Sequence, residues 1–228
     1  MTDDNQPIRD AATVIVLRDG ADGPRVLMGQ RGAKAAFMPS KYVFPGGAVD
    51  DTDAAITPAR ALGPHVAARL QADAPPGFGP ALASAAVREL WEETGLALAR
   101  PGSQPEPVPS GWEGFVERAG LPDHAPLDFI FRAVTPPGRP RRFDARFFLV
   151  DAGALECDPD DFSGACDELS HLHWIGLRQA RDLNLPFITE VVLAEVEDIL
   201  REGTGPDRPV PFFRHEDGRS HFRMLTGA

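Results

Sequence analysis

The sequence is short of cysteine, of net positive charge and of long apolar runs, and each shortage closes off a class of function. Cys157 and Cys166 are the two cysteines of 228 residues, too few for a disulfide framework. With His171 and His173 they give the spacing C-x8-C-x4-H-x-H, which matches none of the usual tetrahedral zinc patterns. Those histidines fall in an extended run, where alternation would set both on one face and Leu172 and Trp174 on the other. The net charge of −11 argues against a non-specific grip on nucleic acid or an anionic membrane. No apolar run approaches the roughly 20 residues of a spanning helix. The opening M-T-D-D-N-Q-P carries no basic and apolar leader, and the closing M-L-T-G-A no peroxisomal or prenylation signal. The compartment expected from this is the cytoplasm.

What is present is an ordinary globular balance, 43% hydrophobic and 25% charged, with 23 prolines and 22 glycines that mark long loops or insertions. One elaborated domain over 1–228 is expected. A-T-V-I-V-L-R (12–18) and R-V-L-M-G-Q-R (25–31) read as a hairpin around D-G-A-D-G-P. K-Y-V-F-P-G-G (41–47) is extended and ends in a Gly-Gly loop. Residues 54–80 are alanine- and proline-rich, with a helix at about 57–72, and have the character of an insertion; a cap over a substrate entrance is one use for it. A helical period is clear from Leu82, with Val87, Leu90, Trp91 and Thr94 on one side and Gly95 as terminator. A short helix follows at 111–119. L-D-F-I-F-R-A-V (127–134), F-D-A-R-F-F-L-V (143–150) and H-L-H-W-I-G-L (171–177) read as strands. An amphipathic helix spans about 187–202, and a tail to 228 closes as a hairpin around Asp217-Gly218. Strands interleaved with few helices predict an α/β protein with a mixed sheet.

On the helix, Glu89, Glu92 and Glu93 stand at i, i+3, i+4 and project from one face. Their mutual repulsion weakens the bare helix by a few tenths of a kcal/mol per pair. Two readings fit such spacing: a solvated acidic face, or a cradle of the hard oxygen ligands that Mg²⁺ and Mn²⁺ prefer.

The wider pattern favours the cradle. Arg88-Glu89-Leu90-Trp91-Glu92-Glu93-Thr94-Gly95-Leu96, with Gly46-Gly47 upstream, resembles the Nudix box, G-x5-E-x7-R-E-U-x-E-E-x-G-U with U aliphatic. The second half fits at every specified position. The first half departs from it: Asp53 stands where the box has glutamate, and 34 residues separate it from Arg88 where the box has seven. A box split in this way, preceded by F-M-P and V-F-P-G-G, is similar to the branch of the Nudix hydrolases typified by a peroxisomal acyl-coenzyme-A diphosphatase. The Asp53 substitution puts one salt bridge to the box arginine in question.

The resemblance implies an α/β/α sandwich around a mixed sheet, with an insertion inside the box. It also implies hydrolysis of a nucleoside diphosphate linked to another moiety, with Mg²⁺ or Mn²⁺ as cofactor. Coenzyme A or acyl-CoA is the first substrate class, ADP-ribose or a dinucleotide the alternative, and a non-catalytic nucleotide sensor a third reading. The expected partner is a small-molecule diphosphate, with no nucleic acid or membrane, and with a homodimer left open. Glu89, Glu92 and Glu93 are implied as metal ligands, with the Gly47 carbonyl as a further one; one glutamate serves instead as base in some relatives. Arg88 is implied as an orienter of these carboxylates. Glu168, six positions before Trp174, falls where some relatives carry a further ligand or base. Arg31 stands where a coenzyme-A signature places an arginine, although Gly29, Ala36 and Ser40 replace that signature's Thr, Arg and Gly. Arg139, Arg141 and Arg142 are candidates for an outer phosphate or simply a solvated turn. Phe37, Met38, Phe44 and Trp112 are candidates for an apolar pocket, with core packing the alternative for Phe44.

Overall fold

The run V-I-V-L at 14–17 is apolar at every position because both faces of its strand are covered. Ala12, Val14 and Val16 enter one buried cluster, while Ile15 and Leu17 enter another. This strand, β1 (Ile8–Gly20), forms the middle of a mixed sheet. The computed structural model describes residues 6–226 apart from 73, 206 and 217. Residues 1–5 and 227–228, and Asp217 of the expected D-G turn, therefore lie outside the described residues.

The elements that follow are β2 (Gly23–Arg31), β3 (Tyr42–Val43), β4 (Gly46–Ala48), α1 (Pro64–Leu70), α2 (Gly79–Thr94), β5 (Ala99–Arg100), α3 (Glu113–Ala119) and β6 (Leu121–Pro122). Then come β7 (Asp128–Val134), β8 (Arg142–Asp151), β9 (Leu169–Gly176), α4 (Leu177–Ala180), α5 (Phe187–Glu202), β10 (Val210–Glu216) and β11 (Arg219–Leu225). The main sheet runs β11-β10-β7-β8-β1-β2-β3, with β4 added to β1 and β9 to β2; β5 and β6 pair separately. β1 is parallel to β8 and antiparallel to β2, and β10 is parallel to β7. The sheet is mixed, as its alternation of strands and helices predicts. Among the described residues no helix is long and apolar enough to cross a membrane.

One irregularity positions the site. β1 pairs with β2 only from Leu17 to Gly20, and with β4 from Ala11 to Thr13. β2 meets β9 along one edge and uses the other for β1 and then β3. The two central strands thus part, and residues 42–48 fill the opening, held further by the Val14 N–H on the Pro45 carbonyl at 2.9 Å.

Helices cover both faces. Leu82, Val87 and Leu90 of α2 lie in one cluster with Val66 and Leu70 of α1 and Phe115 of α3. Val192, Leu193, Val196 and Ile199 of α5 lie in the other with Leu177 of α4. This is an α/β/α sandwich. The 54–80 segment contributes Ile56, Val66 and Leu70 to the core, so it extends the helical layer. Its helix is shorter than the 57–72 expected. Arg60 is taken up by an ion pair with Asp123, and α1 starts with Pro64 at its first turn.

Candidate active site

Alanines at 81, 83, 85 and 86 are buried along α2, which lets the helix lie close on the sheet and fixes where its last turns point. It ends as predicted at Gly95, in the left-handed conformation at φ 78°. A side chain there would strike the backbone of Gly164 at 2.9 Å, so the loop leading to Glu168 packs on the helix end. The Cys166 N–H donates to the Glu92 carbonyl at 3.0 Å and ties the same loop down.

Arg88 is buried and its donors are all engaged. Nε donates to Asp53 Oδ1 at 2.9 Å, and NH2 to Asp53 Oδ2 at 3.0 Å and to the Ala48 carbonyl at 2.9 Å. NH1 donates to Glu89 Oε1 at 2.9 Å and to Glu92 Oε2 at 3.2 Å. Asp53 does reach Arg88 across the insert. A short turn over Asp51–Ala54 folds it back, with the Asp50 N–H donating to Asp53 Oδ2 at 2.8 Å. Asp50 belongs to this arrangement too, and only the run D-D-T-D hinted at it.

The Gly-Gly loop meets the helix from the sheet side. A side chain on Gly46 would stand 2.5 Å from the Ala12 carbonyl oxygen, and one on Gly47 2.4 Å from the Glu89 carboxylate. The Gly46 N–H donates to Glu93 Oε2 at 2.7 Å. Glu93 is only 2% exposed, whereas the Glu92 side chain is 39% exposed.

Burial is the largest influence on these acids. It raises Glu89 to about 7, against the pull of Arg88 and with help from the charges of Glu92 and Glu168. Burial likewise lifts Glu93 well above the usual range, opposed by the Gly46 N–H and Arg31 and reinforced by Glu89 and Glu168. Glu92 is also raised by burial, with Arg88 opposing. For Arg88 burial works against the charge, but Asp53, Glu89 and Glu92 more than offset it and keep the guanidinium protonated. Glu89, Glu92, Glu93, Glu168, Asp50 and Asp53 thus share one field with Arg88 and Arg31. Carboxylates outnumber guanidiniums, and the donors are hard oxygens, so the set suits a divalent cation. Among the described residues no three His, Cys, Asp or Glu side chains already close on one point for a metal ion. Arg88 holds Glu89 and Glu92 while Gly46 holds Glu93, so ligation requires side-chain rotation.

The other predicted positions divide. Arg31 joins the site through Glu168, donating from NH2 to Oε1 at 2.8 Å. Phe44 is 4% exposed in the core on the α5 side, and the Arg142 Nε donates to the Thr135 carbonyl at 3.1 Å. Among the described residues no hydrogen bond or ion pair joins either to the glutamates. Trp112 is a core residue, and Phe37 packs edge-on against Phe143 with ring centroids 5.3 Å apart. His171 breaks the alternation expected of its strand: it is left-handed at φ 52°, beside a register shift between β2 and β9. Cys157 and Cys166 are free.

A model of the NUDIX domain matches residues 7–195 of this chain. The chain belongs to the Nudix family. Among Nudix proteins it is 30% identical over 169 residues to nudix hydrolase 7 of Caenorhabditis elegans, covering 69% of this chain and 48% of that protein. It is 29% identical over 231 residues to the acyl-coenzyme A diphosphatase NUDT19 of Gallus gallus, covering 73% and 60%. The chain therefore spans about half the length of these curated relatives. The crystal structure of a NUDIX hydrolase from Alicyclobacillus acidocaldarius matches with a TM-score of 0.63 and 31% identity, covering 83% of this chain and 91% of that one.

Proposed function

We propose that this Nudix protein is a Mg²⁺- or Mn²⁺-dependent diphosphatase that splits coenzyme A or an acyl-CoA into phosphopantetheine (or its acyl form) and 3′,5′-ADP. The observation that carries the reading is the meeting of Glu89 and Glu93 with the Gly46-Gly47 loop, with Arg88 locked by Asp53 so that it orients Glu89 and Glu92. The similarity to an acyl-coenzyme A diphosphatase supports the substrate class.

In the reaction the bond between one phosphorus and the bridging oxygen breaks. Water adds across it, leaving two phosphomonoesters. When bound, the divalent cation supplies neutralisation of phosphate charge and acidification of a water. Glu89, Glu92 and Glu93 would hold it after turning from the Arg88 and Gly46 donors that engage them here. Arg88 is a positioning residue, since its donors are committed to the protein.

The test is a hydrolysis screen with Mg²⁺ and Mn²⁺ over CoA, acyl-CoAs, ADP-ribose, NADH and diadenosine polyphosphates. CoA or an acyl-CoA turned over with the highest kcat/KM is the expected result, and inorganic phosphate should appear only after a phosphatase is added. Preference for ADP-ribose or a dinucleotide would overturn the substrate class. No turnover of any diphosphate would overturn the enzyme reading in favour of a nucleotide-binding module.

A further inference from the structure

Of the two guanidiniums in the site, Arg88 is saturated and Arg31 is not. The Arg31 Nε–H is buried without an acceptor, although NH2 donates to Glu168 Oε1. A buried donor left unpaired is costly, so the pair with Glu168 is an incomplete arrangement for this side chain. A guanidinium is matched best by an anion offering two oxygens to its fork, as a phosphate does.

The backbones on either side are fixed. Arg31 is the last residue of β2 and faces Leu169 of β9 in register, which sets Glu168 immediately before β9. The Arg31 N–H donates to the Lys41 carbonyl at 2.9 Å, and its carbonyl accepts from the Ser40 N–H at 3.1 Å. Side-chain rotation is thus the available exchange. Both charges already act on the glutamates: Glu168 on Glu89 and Glu93, Arg31 on Glu93.

We propose that the Arg31–Glu168 pair is a latch that a substrate phosphate opens, drawing Arg31 onto its oxygens and releasing Glu168 beside Glu89 and Glu93. The inference rests on the diphosphatase reading. It makes Arg31 a substrate-binding residue whose affinity is reduced by competition from Glu168. It also keeps Glu168 away from the reacting centre until a phosphate has arrived.

The experiment is a double-mutant cycle on Arg31→Gln and Glu168→Gln. It is read as the Kd of ADP in EDTA-treated protein, and as kcat and KM on whichever diphosphate the wild type hydrolyses. E168Q should bind ADP several-fold tighter than wild type, with lower KM and lower kcat. R31Q should bind about tenfold weaker, a change worth about 1.4 kcal/mol. The double variant should bind like R31Q, because the gain from E168Q acts through Arg31. If E168Q binds ADP no tighter, or keeps its gain in the R31Q background, the latch is overturned. The second result would show only relief of repulsion. A wild type that hydrolyses no diphosphate overturns the reading of function instead, so the two failures are told apart.

Discussion

Arg88 and Asp53 form a buried, two-pronged ion pair at 2.9 and 3.0 Å, although 34 residues of chain lie between them. The insert therefore leaves the box intact in space. Asp53 is 1% exposed, and removing it strands a buried guanidinium. Asp53→Ala should destabilise the protein by about 3–5 kcal/mol and lower turnover, because Arg88 would lose the partner that aims it at Glu89 and Glu92. Restoring the usual box residue with Asp53→Glu adds a methylene to a filled site and should still cost about 1–3 kcal/mol. Denaturant midpoints of the two variants check both figures; an unchanged Asp53→Ala midpoint would refute the structural role of the pair.

Much of this arrangement was legible beforehand, and the limit of legibility has a physical cause. The helical period from Leu82 and the terminator at Gly95 are local signals, and α2 and its carboxylates follow them. The β-branched hairpin and the strands expected at 127–134 and 143–150 were equally local. The Arg88–Asp53 contact was not, since no pattern along the chain states that a loop folds back. Arg31 and Glu168 likewise meet only because β2 and β9 are neighbours. The expected helix at 57–72 failed in its first half because Arg60 is engaged by Asp123, a tertiary contact that overrides propensity. Alternation misled at His171 because a register shift interrupts the period of two.

The adjacent glycines separate stability from chemistry. Gly46→Ala would press a methyl against the Ala12 carbonyl, which belongs to the backbone of β1 and cannot yield cheaply. Its main effect should be a lowered melting temperature. Gly47→Ala meets the carboxylate of Glu89, the movable end of a side chain. That variant should fold nearly as well as wild type while losing divalent-cation affinity and turnover. Thermal melts paired with cation titrations distinguish the two, and similar profiles for both variants would contradict the geometry.

Glu93→Gln should leave the fold intact, since an amide oxygen can still accept from the Gly46 N–H. It removes a carboxylate whose charge burial disfavours, against the Gly46 N–H and Arg31. Turnover should fall by about 100-fold or more, on the scale of losing an interaction made with the metal. Glu92→Gln should behave similarly with a smaller effect on stability, its side chain being partly exposed. Activity near the wild-type level in either variant would remove that residue from the ligand set.

The inserted segment should prove structural in a direct test. Leu70 is 2% exposed and packs in the same cluster as Leu82 and Val87 of α2. Leu70→Ala should cost about 2–5 kcal/mol, the range for a truncated core leucine, with KM unchanged at temperatures where the protein stays folded. A raised KM without loss of stability would instead return the segment to a role at the substrate entrance.

His124 gives the stability of the fold a pH dependence of its own. It is buried beside α2 with Nε2 3.3 Å from Ser84 Oγ, and burial lowers its pKa from 6.5 to about 4 against the opposing charge of Asp123. In the unfolded chain the imidazole titrates near its ordinary value. As pH falls below 6.5 the unfolded state therefore takes up a proton that the folded state refuses. The stability associated with the neutral ring is complete above 6.5, is lost progressively down to about 4, and amounts to on the order of 3 kcal/mol at most. His124→Gln keeps a polar side chain that cannot protonate, so its denaturant midpoint should fall less steeply across that window than the wild-type midpoint. Parallel curves for the two proteins between pH 7 and 4 would show that the acid sensitivity belongs to another group.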